Sequence, residues 1–213
     1  MADVLPDLVV DACCLINLYA AGQILSPGPT PESEPVRRKV IMKKRIPPEQ
    51  AKEVKHRFGL AFNLHVPAKV IEELLYIRRP DEDDESKLVE YLIDLTLIVN
   101  QGLLHPCDLQ EQAETDLFVQ LATTLDDGEA MSLAIAKVRG WGMASDDRKA
   151  RRVAGQLRVS ALTTAELVKA WAENTRATDA DVAQVLLNIQ TFARFIPHKT
   201  MPLHQWWVDA AKE

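Results

Sequence analysis

The stretch Leu8-Val9-Val10-Asp11-Ala12-Cys13-Cys14-Leu15-Ile16-Asn17-Leu18 decides how this chain reads. Leu8-Val9-Val10 is a short, Val-rich apolar run, the mark of a buried strand. It ends on a carboxylate, Asp11. From Ala12 to Leu25 the spacing of Leu15, Leu18 and Tyr19 predicts a helix, and Ser26-Pro27-Gly28-Pro29-Thr30-Pro31 stops it. A strand that hands over to a helix through an acid is costly unless the carboxylate is paired, hydrogen-bonded or bound to metal.

The same alternation continues along the chain. Short strands are expected at Leu64–Pro67, Leu103–Pro106, Gly140–Ser145 and Val159–Leu162. Helices are expected over Ala68–Ile77, Ser86–Val99, Glu111–Leu125, Glu129–Val138, Lys149–Gly155, Glu166–Glu173 and Asp179–Phe195. Strands alternating with helices imply an α/β fold with a parallel central sheet flanked by helices. Residues 26–65 differ from the rest. They are rich in proline and carry two basic clusters, Arg37-Arg38-Lys39 and Lys43-Lys44-Arg45. They read as an insertion, with a short strand at 40–42 and a short helix at 48–57. Residues 80–85 form an acidic linker. The expected organisation is one domain over 1–175 with its insertion at about 26–65, and a C-terminal helical extension over 176–213 that packs on it.

The 213 residues are 47% hydrophobic and 26% charged, ordinary for a soluble protein. The net charge of −6 argues against a protein that coats nucleic acid electrostatically. It does not exclude a nuclease, because a carboxylate site has metal ions restore its charge locally. No apolar run reaches the length of a membrane span, and no leader is visible. The three cysteines, Cys13, Cys14 and Cys107, have no metal-ligand spacing, and their odd number argues against a disulfide framework. A reducing, cytoplasmic setting is expected.

Ligands of parallel sheets bind at the carboxyl ends of the strands, so acids at strand ends are the candidates. Asp11 ends the first strand; its plainer explanation is a cap for the helix that follows. Glu72 and Glu73 sit on the next helix, about 100° apart, so only one of them faces a site. Asp126-Asp127-Gly128-Glu129 fits a helix cap with an acid in the first turn. Asp146 and Asp147 end a strand and begin a basic helix. Each has an ordinary structural reading alone; together they converge on one sheet edge. Four carboxylates so placed repel each other without cations. Oxygen ligands without His or Cys select Mg²⁺ or Mn²⁺.

Four segments resemble those of the PIN domains, the nuclease fold of the VapC-like toxins and their relatives. Val9–Leu18 resembles the first acidic segment, with Asp11 as its acid. Val66–Leu75 resembles the second, and the family's Glu-Leu pattern there favours Glu73 over Glu72. Leu125–Ala136 resembles the third, through the Gly-Glu-Ala of Gly128-Glu129-Ala130, and Ala144–Arg151 the fourth, with Asp146 as ligand and Asp147 beside it. The match spans roughly Leu8 to Leu167. The resemblance implies a Mg²⁺- or Mn²⁺-dependent nuclease acting on RNA through metal-activated water, with Asp11, Glu73, Glu129 and Asp146 catalytic and Asp147 a further metal ligand. It also implies a homodimer and, on the toxin branch, a small antitoxin-like partner.

Arg78, Arg79, Lys149, Arg151 and Arg152 are candidates to hold a substrate backbone. Trp141 is a candidate to stack on a base, and Trp206-Trp207 to mark a partner surface; core packing is the alternative for all three. The rival from another class is a non-catalytic RNA- or protein-binding module on the same fold. A receiver-like phosphoacceptor would group its acids early, whereas here they are spread along the chain. A Ser/His/Asp hydrolase has no nucleophile-elbow pattern to support it.

Overall fold

The computed structural model describes residues 6–22, 61–73, 75–80 and 88–212. The basic, proline-rich stretch with its expected strand at 40–42 and helix at 48–57, the acidic run at 81–85 and the far end of the first helix at 23–25 lie outside the described residues, as does the Arg79 side chain.

The chain order begins β1 (Asp7–Val10), α1 (Ala12–Ala20), β2 (Asn63–Pro67), α2 (Ala68–Glu72), β3 (Tyr76–Pro80), β4 (Leu88–Leu92), α3 (Thr96–Asn100), β5 (Leu104–Cys107) and α4 (Gln112–Leu121). It continues with α5 (Asp127–Arg139), β6 (Gly142–Ala144), α6 (Arg148–Gln156), β7 (Ala161–Leu162), α7 (Thr164–Thr175), α8 (Asp179–Asn188), a π-helical turn (Ile189–Ala193) and α9 (His204–Ala210). Five strands form one all-parallel sheet in the order β5-β2-β1-β6-β7. The fold is α/β, as expected.

Strand geometry turns successive side chains to opposite faces, and β1 uses both. Leu8 and Val10 join Leu64, Val66 and Ala144 in a core covered by α1, α7 and α8. Val9 joins Met143 in a second core covered by α5 and α6. Each large apolar side chain buried this way contributes about 1.5–3 kcal/mol. The Ala-rich sequence of α5 lets the helix lie close on the sheet, with Ala130, Leu133, Ala134, Ile135 and Ala136 all at 0% exposure. Gly140, at φ 69°, ends that helix in the left-handed conformation that favours glycine. The C-terminal segment shares the first core: Val182, Val185, Leu186, Ile189 and Trp207 are buried in it.

Two expected helices are cut short and give way in part to strands. The helix beginning at Ala68 stops at Glu72, and Tyr76–Pro80 pairs antiparallel with Leu88–Leu92, where a helix had been expected from Ser86. Leu88, Leu92 and Leu95 have helical spacing, but Val89, Tyr91 and Ile93 alternate with Glu90, Leu92 and Asp94. The second pattern wins, with the first set half-buried and the second exposed. The cross-strand partner decides between the two periods, and a single stretch of sequence does not name its partner. The first helix is also shorter than expected: α1 ends at Ala20, and Gly22 follows at φ 74°.

Candidate active site

β1 and β6 are neighbours and run parallel, so the acids that follow them arrive side by side at the carboxyl edge of the sheet. The Asp11 N–H donates to the Ala144 carbonyl at 3.1 Å, which fixes the start of that turn. Asp11 Oδ1 accepts the Cys14 N–H at 3.1 Å and so caps α1. It also accepts from Cys13 Sγ at 2.9 Å. Asp11 is only 3% exposed. Burial pushes its carboxyl up to about 6, against the pull of hydrogen bonds from Cys13, Ser145 and Cys14, and the Asp146 charge adds to the rise. A helix cap alone does not require a carboxylate this deeply buried.

Asp146 is held on both oxygens. Oδ1 accepts the Thr164 N–H at 2.9 Å, at the start of α7. Oδ2 accepts the Thr164 hydroxyl at 2.5 Å and Asn17 Nδ2 at 3.0 Å. Asn17 Nδ2 also donates to Thr164 Oγ1 at 3.0 Å. Both Asn17 and Thr164 are buried.

Glu129 lies in the first turn of α5, where Asp126 caps the helix by accepting the Glu129 N–H at 2.8 Å. Burial, then the charges of Asp126, Asp147 and Asp11, push the Glu129 carboxyl up to about 7. Glu73 follows α2 in extended backbone, and its carboxyl is raised by burial and by Asp126 and Asp11. Glu72 turns to solvent and pairs with Lys69 at 2.9 Å. Asp147 caps α6 by accepting the Lys149 and Ala150 N–H groups at 2.7 and 2.8 Å.

One cavity of about 370 Å³ collects these groups. Asp11, Glu73, Asp126, Glu129, Asp146 and Asp147 line it with Ala12, Cys13 and Gly128. Among the described residues none of its lining is basic, so the carboxylates have no protein countercharge. That donor set suits a hard divalent cation. Its spacing is open. Among the described residues the group of three side chains with ligand atoms all within 4.8 Å of one another is Asp11, Cys13 and Cys14, not three carboxylates. Mg²⁺ keeps several of its waters, so carboxylates spaced more widely than that still suit it.

Several residues expected to meet substrate or a partner are engaged elsewhere. Arg78 pairs with Glu90 across the β3–β4 hairpin at 3.1 Å. Lys149 donates to the Thr124 carbonyl. Trp141 stacks on His65 with ring centroids 4.1 Å apart and lies under Arg139 at 5.0 Å. Trp207 is fully buried against Phe195. Asp126, Cys13, Asn17 and Thr164 were not among the expected site residues. Asn17 left a signal: a polar amide on a helix otherwise buried at Cys14, Leu15 and Leu18, four residues after Cys13 and so on the same face.

A family model described as a PIN domain matches residues 49–202, more than two thirds of the chain. The chain belongs to the PIN-domain family. Within this PIN domain Glu73, Glu129, Asp146 and Asp147 fall inside the matched span, and Asp11 precedes it. No curated protein and no solved structure gives a significant match. Among the described residues no helix is long and apolar enough to cross a membrane.

Proposed function

We propose that this PIN domain is a metal-dependent nuclease that hydrolyses phosphodiester bonds, with RNA as its substrate. The observation that carries the reading is the cavity lined by six carboxylates with no basic residue among the described ones. Asp11, Glu73, Glu129 and Asp146, with Asp147 at the rim, would hold one or two Mg²⁺ or Mn²⁺ ions. Such an ion, when bound, lowers the pKa of water and offsets charge on phosphate oxygens. The chain's own residues do the rest. Asn17 and Thr164 lock the Asp146 carboxylate in one orientation. Asp11 is held by the backbone of the α1 start. The Glu129 carboxyl, raised to about 7 in the metal-free chain, would give up its proton when an ion binds. The family resemblance extends the proposal to a homodimer and to a small antitoxin-like partner.

The test is cleavage of a panel of single-stranded and structured RNAs, with DNA controls, in Mg²⁺, Mn²⁺ or EDTA. Metal-dependent cuts that leave 5′-phosphate and 3′-hydroxyl ends support the reading and name the substrate. Binding of RNA without cleavage in any metal would favour a non-catalytic module.

A further inference from the structure

Two thiols occupy the same corner of the site as Asp11 and Asp146. Cys13 Sγ donates to Asp11 Oδ1 at 2.9 Å and accepts the Asp146 N–H at 3.3 Å. Cys14 Sγ donates to Asp146 Oδ2 at 3.5 Å and lies 3.4 Å from Thr164 Oγ1. Cys13 lines the cavity, so an ion entering from solvent reaches it.

We propose that Cys13 and Cys14, with Asp11, form a site for a thiophilic divalent ion, Zn²⁺ or Cd²⁺, that overlaps the hard-ion site. Thiolates select such ions, whereas Mg²⁺ is left to oxygen ligands. Three protein ligands with a water in the fourth position make a tetrahedral centre. With Zn–S near 2.3 Å and Zn–O near 2.1 Å, a tetrahedral angle separates sulphur from oxygen by about 3.6 Å. Cys13 and Asp11, at 2.9 Å, need to open by about 0.7 Å to reach that spacing. The two sulphurs and the Asp11 oxygen lie within 4.8 Å of one another. Binding is a proton exchange: two S–H bonds break, two metal–sulphur bonds form, and both protons leave to solvent. The bound ion takes Asp11 from the hard ion, so Zn²⁺ competes with Mg²⁺ for the site. That last consequence alone rests on the nuclease reading.

The experiment titrates the reduced full-length protein with Co²⁺, a spectroscopic stand-in for Zn²⁺. The expected result is a near-ultraviolet thiolate-to-cobalt charge-transfer band that saturates at one equivalent. Zn²⁺ removes it at one equivalent, a large excess of Mg²⁺ leaves it, the Cys13→Ser/Cys14→Ala variant lacks it, and Cys107→Ser keeps it. No band, or a band unchanged in the double variant, overturns the proposal. Cys14 is wholly buried, so its replacement also endangers the fold, and the wild-type chain supplies a second readout. Zn²⁺ should shield Cys13 from maleimide labelling, mapped by mass spectrometry, with Cys107 labelling unchanged; equal Cys13 labelling with and without Zn²⁺ overturns the proposal. Neither readout involves RNA. Metal-dependent cleavage without the band rejects this site alone, and the band without any cleavage supports it while rejecting the nuclease reading.

Discussion

Glu73 Oε1 occupies the space that a side chain on Gly128 would need: a β-carbon built there lies 2.4 Å from it. The glycine in the first turn of α5 is therefore what lets the α2 carboxylate reach the cavity. Gly128→Ala should push Glu73 aside and leave the backbone in place, since the atom displaced is the end of a flexible side chain. Alanine in a helix is favoured over glycine by about 0.5–1 kcal/mol. The expected outcome is a Tm equal to or above wild type with Mn²⁺ affinity lowered about tenfold, by calorimetry. An unchanged affinity would remove Glu73 from the ion-holding set.

Asn17 acts on Asp146 from behind. Its amide bridges Asp146 Oδ2 and Thr164 Oγ1, each at 3.0 Å. Asn17→Ala leaves buried acceptors short of a donor, at a cost of about 1–3 kcal/mol. It should also weaken Mn²⁺ binding by about 10- to 100-fold, as expected for a partner that orients a ligand. A stability loss with full Mn²⁺ affinity would make Asn17 a core residue only.

The acids of the site make the metal-free protein sensitive to pH in an unusual direction. Asp11 and Glu129 have carboxyls raised to about 6 and about 7, so folding favours their protonated forms. Their contribution to stability is complete below the ordinary carboxylate range, near pH 4, and is lost as pH rises through 6 to 7. The drop in Tm between pH 5 and pH 8 should shrink in Asp11→Asn/Glu129→Gln. Mn²⁺ competes with those protons, so its stabilisation should grow over the same window. At 100 times its Kd an ion adds about 2.7 kcal/mol, or about 5–10 °C in a chain of this size. A Mn²⁺ shift as large at pH 5 as at pH 8 would contradict the assignment.

Buried acids of structure behave in the opposite way. Glu114 is 0% exposed and meets Arg139 Nε at 2.6 Å, which with the Gln110 and Glu111 N–H groups holds its carboxyl below the usual range. Arg139→Ala should cost about 3–5 kcal/mol, because it leaves a buried charge unpaired. Asp11→Asn should instead raise the Tm of the metal-free protein, because it removes one of several charges that repel. Denaturation of the two variants side by side separates the roles; destabilisation in both would place Asp11 with the structural acids.

How far the sequence could be read follows from which interactions are local. The run Leu8-Val9-Val10 before Asp11 predicts a strand ending on an acid because apolar pattern and chain order are enough. The cap at Asp126 was legible because donor and acceptor are three residues apart. The β3–β4 hairpin was not: Leu88–Leu92 satisfies both periods, and only pairing with Tyr76–Pro80 selects one. Glu73 was read on a helix and Gly128 in the cap before another, but their contact depends on how α2 and α5 approach each other. The Asn17–Asp146 bond spans 129 positions and has no local signature beyond a polar residue on an apolar face.

If these acids hold an ion that cuts phosphodiester bonds, Asp11 shows it most directly, because it precedes the span matched to the family. The measurement is the single-turnover cleavage rate of wild type and Asp11→Asn on the best RNA of the panel, in Mg²⁺ and in EDTA. The expected result is a Mg²⁺-dependent rate, abolished by EDTA, that falls by at least about 100-fold in a variant that still folds. A rate for Asp11→Asn equal to wild type, or cleavage that persists in EDTA, would contradict it.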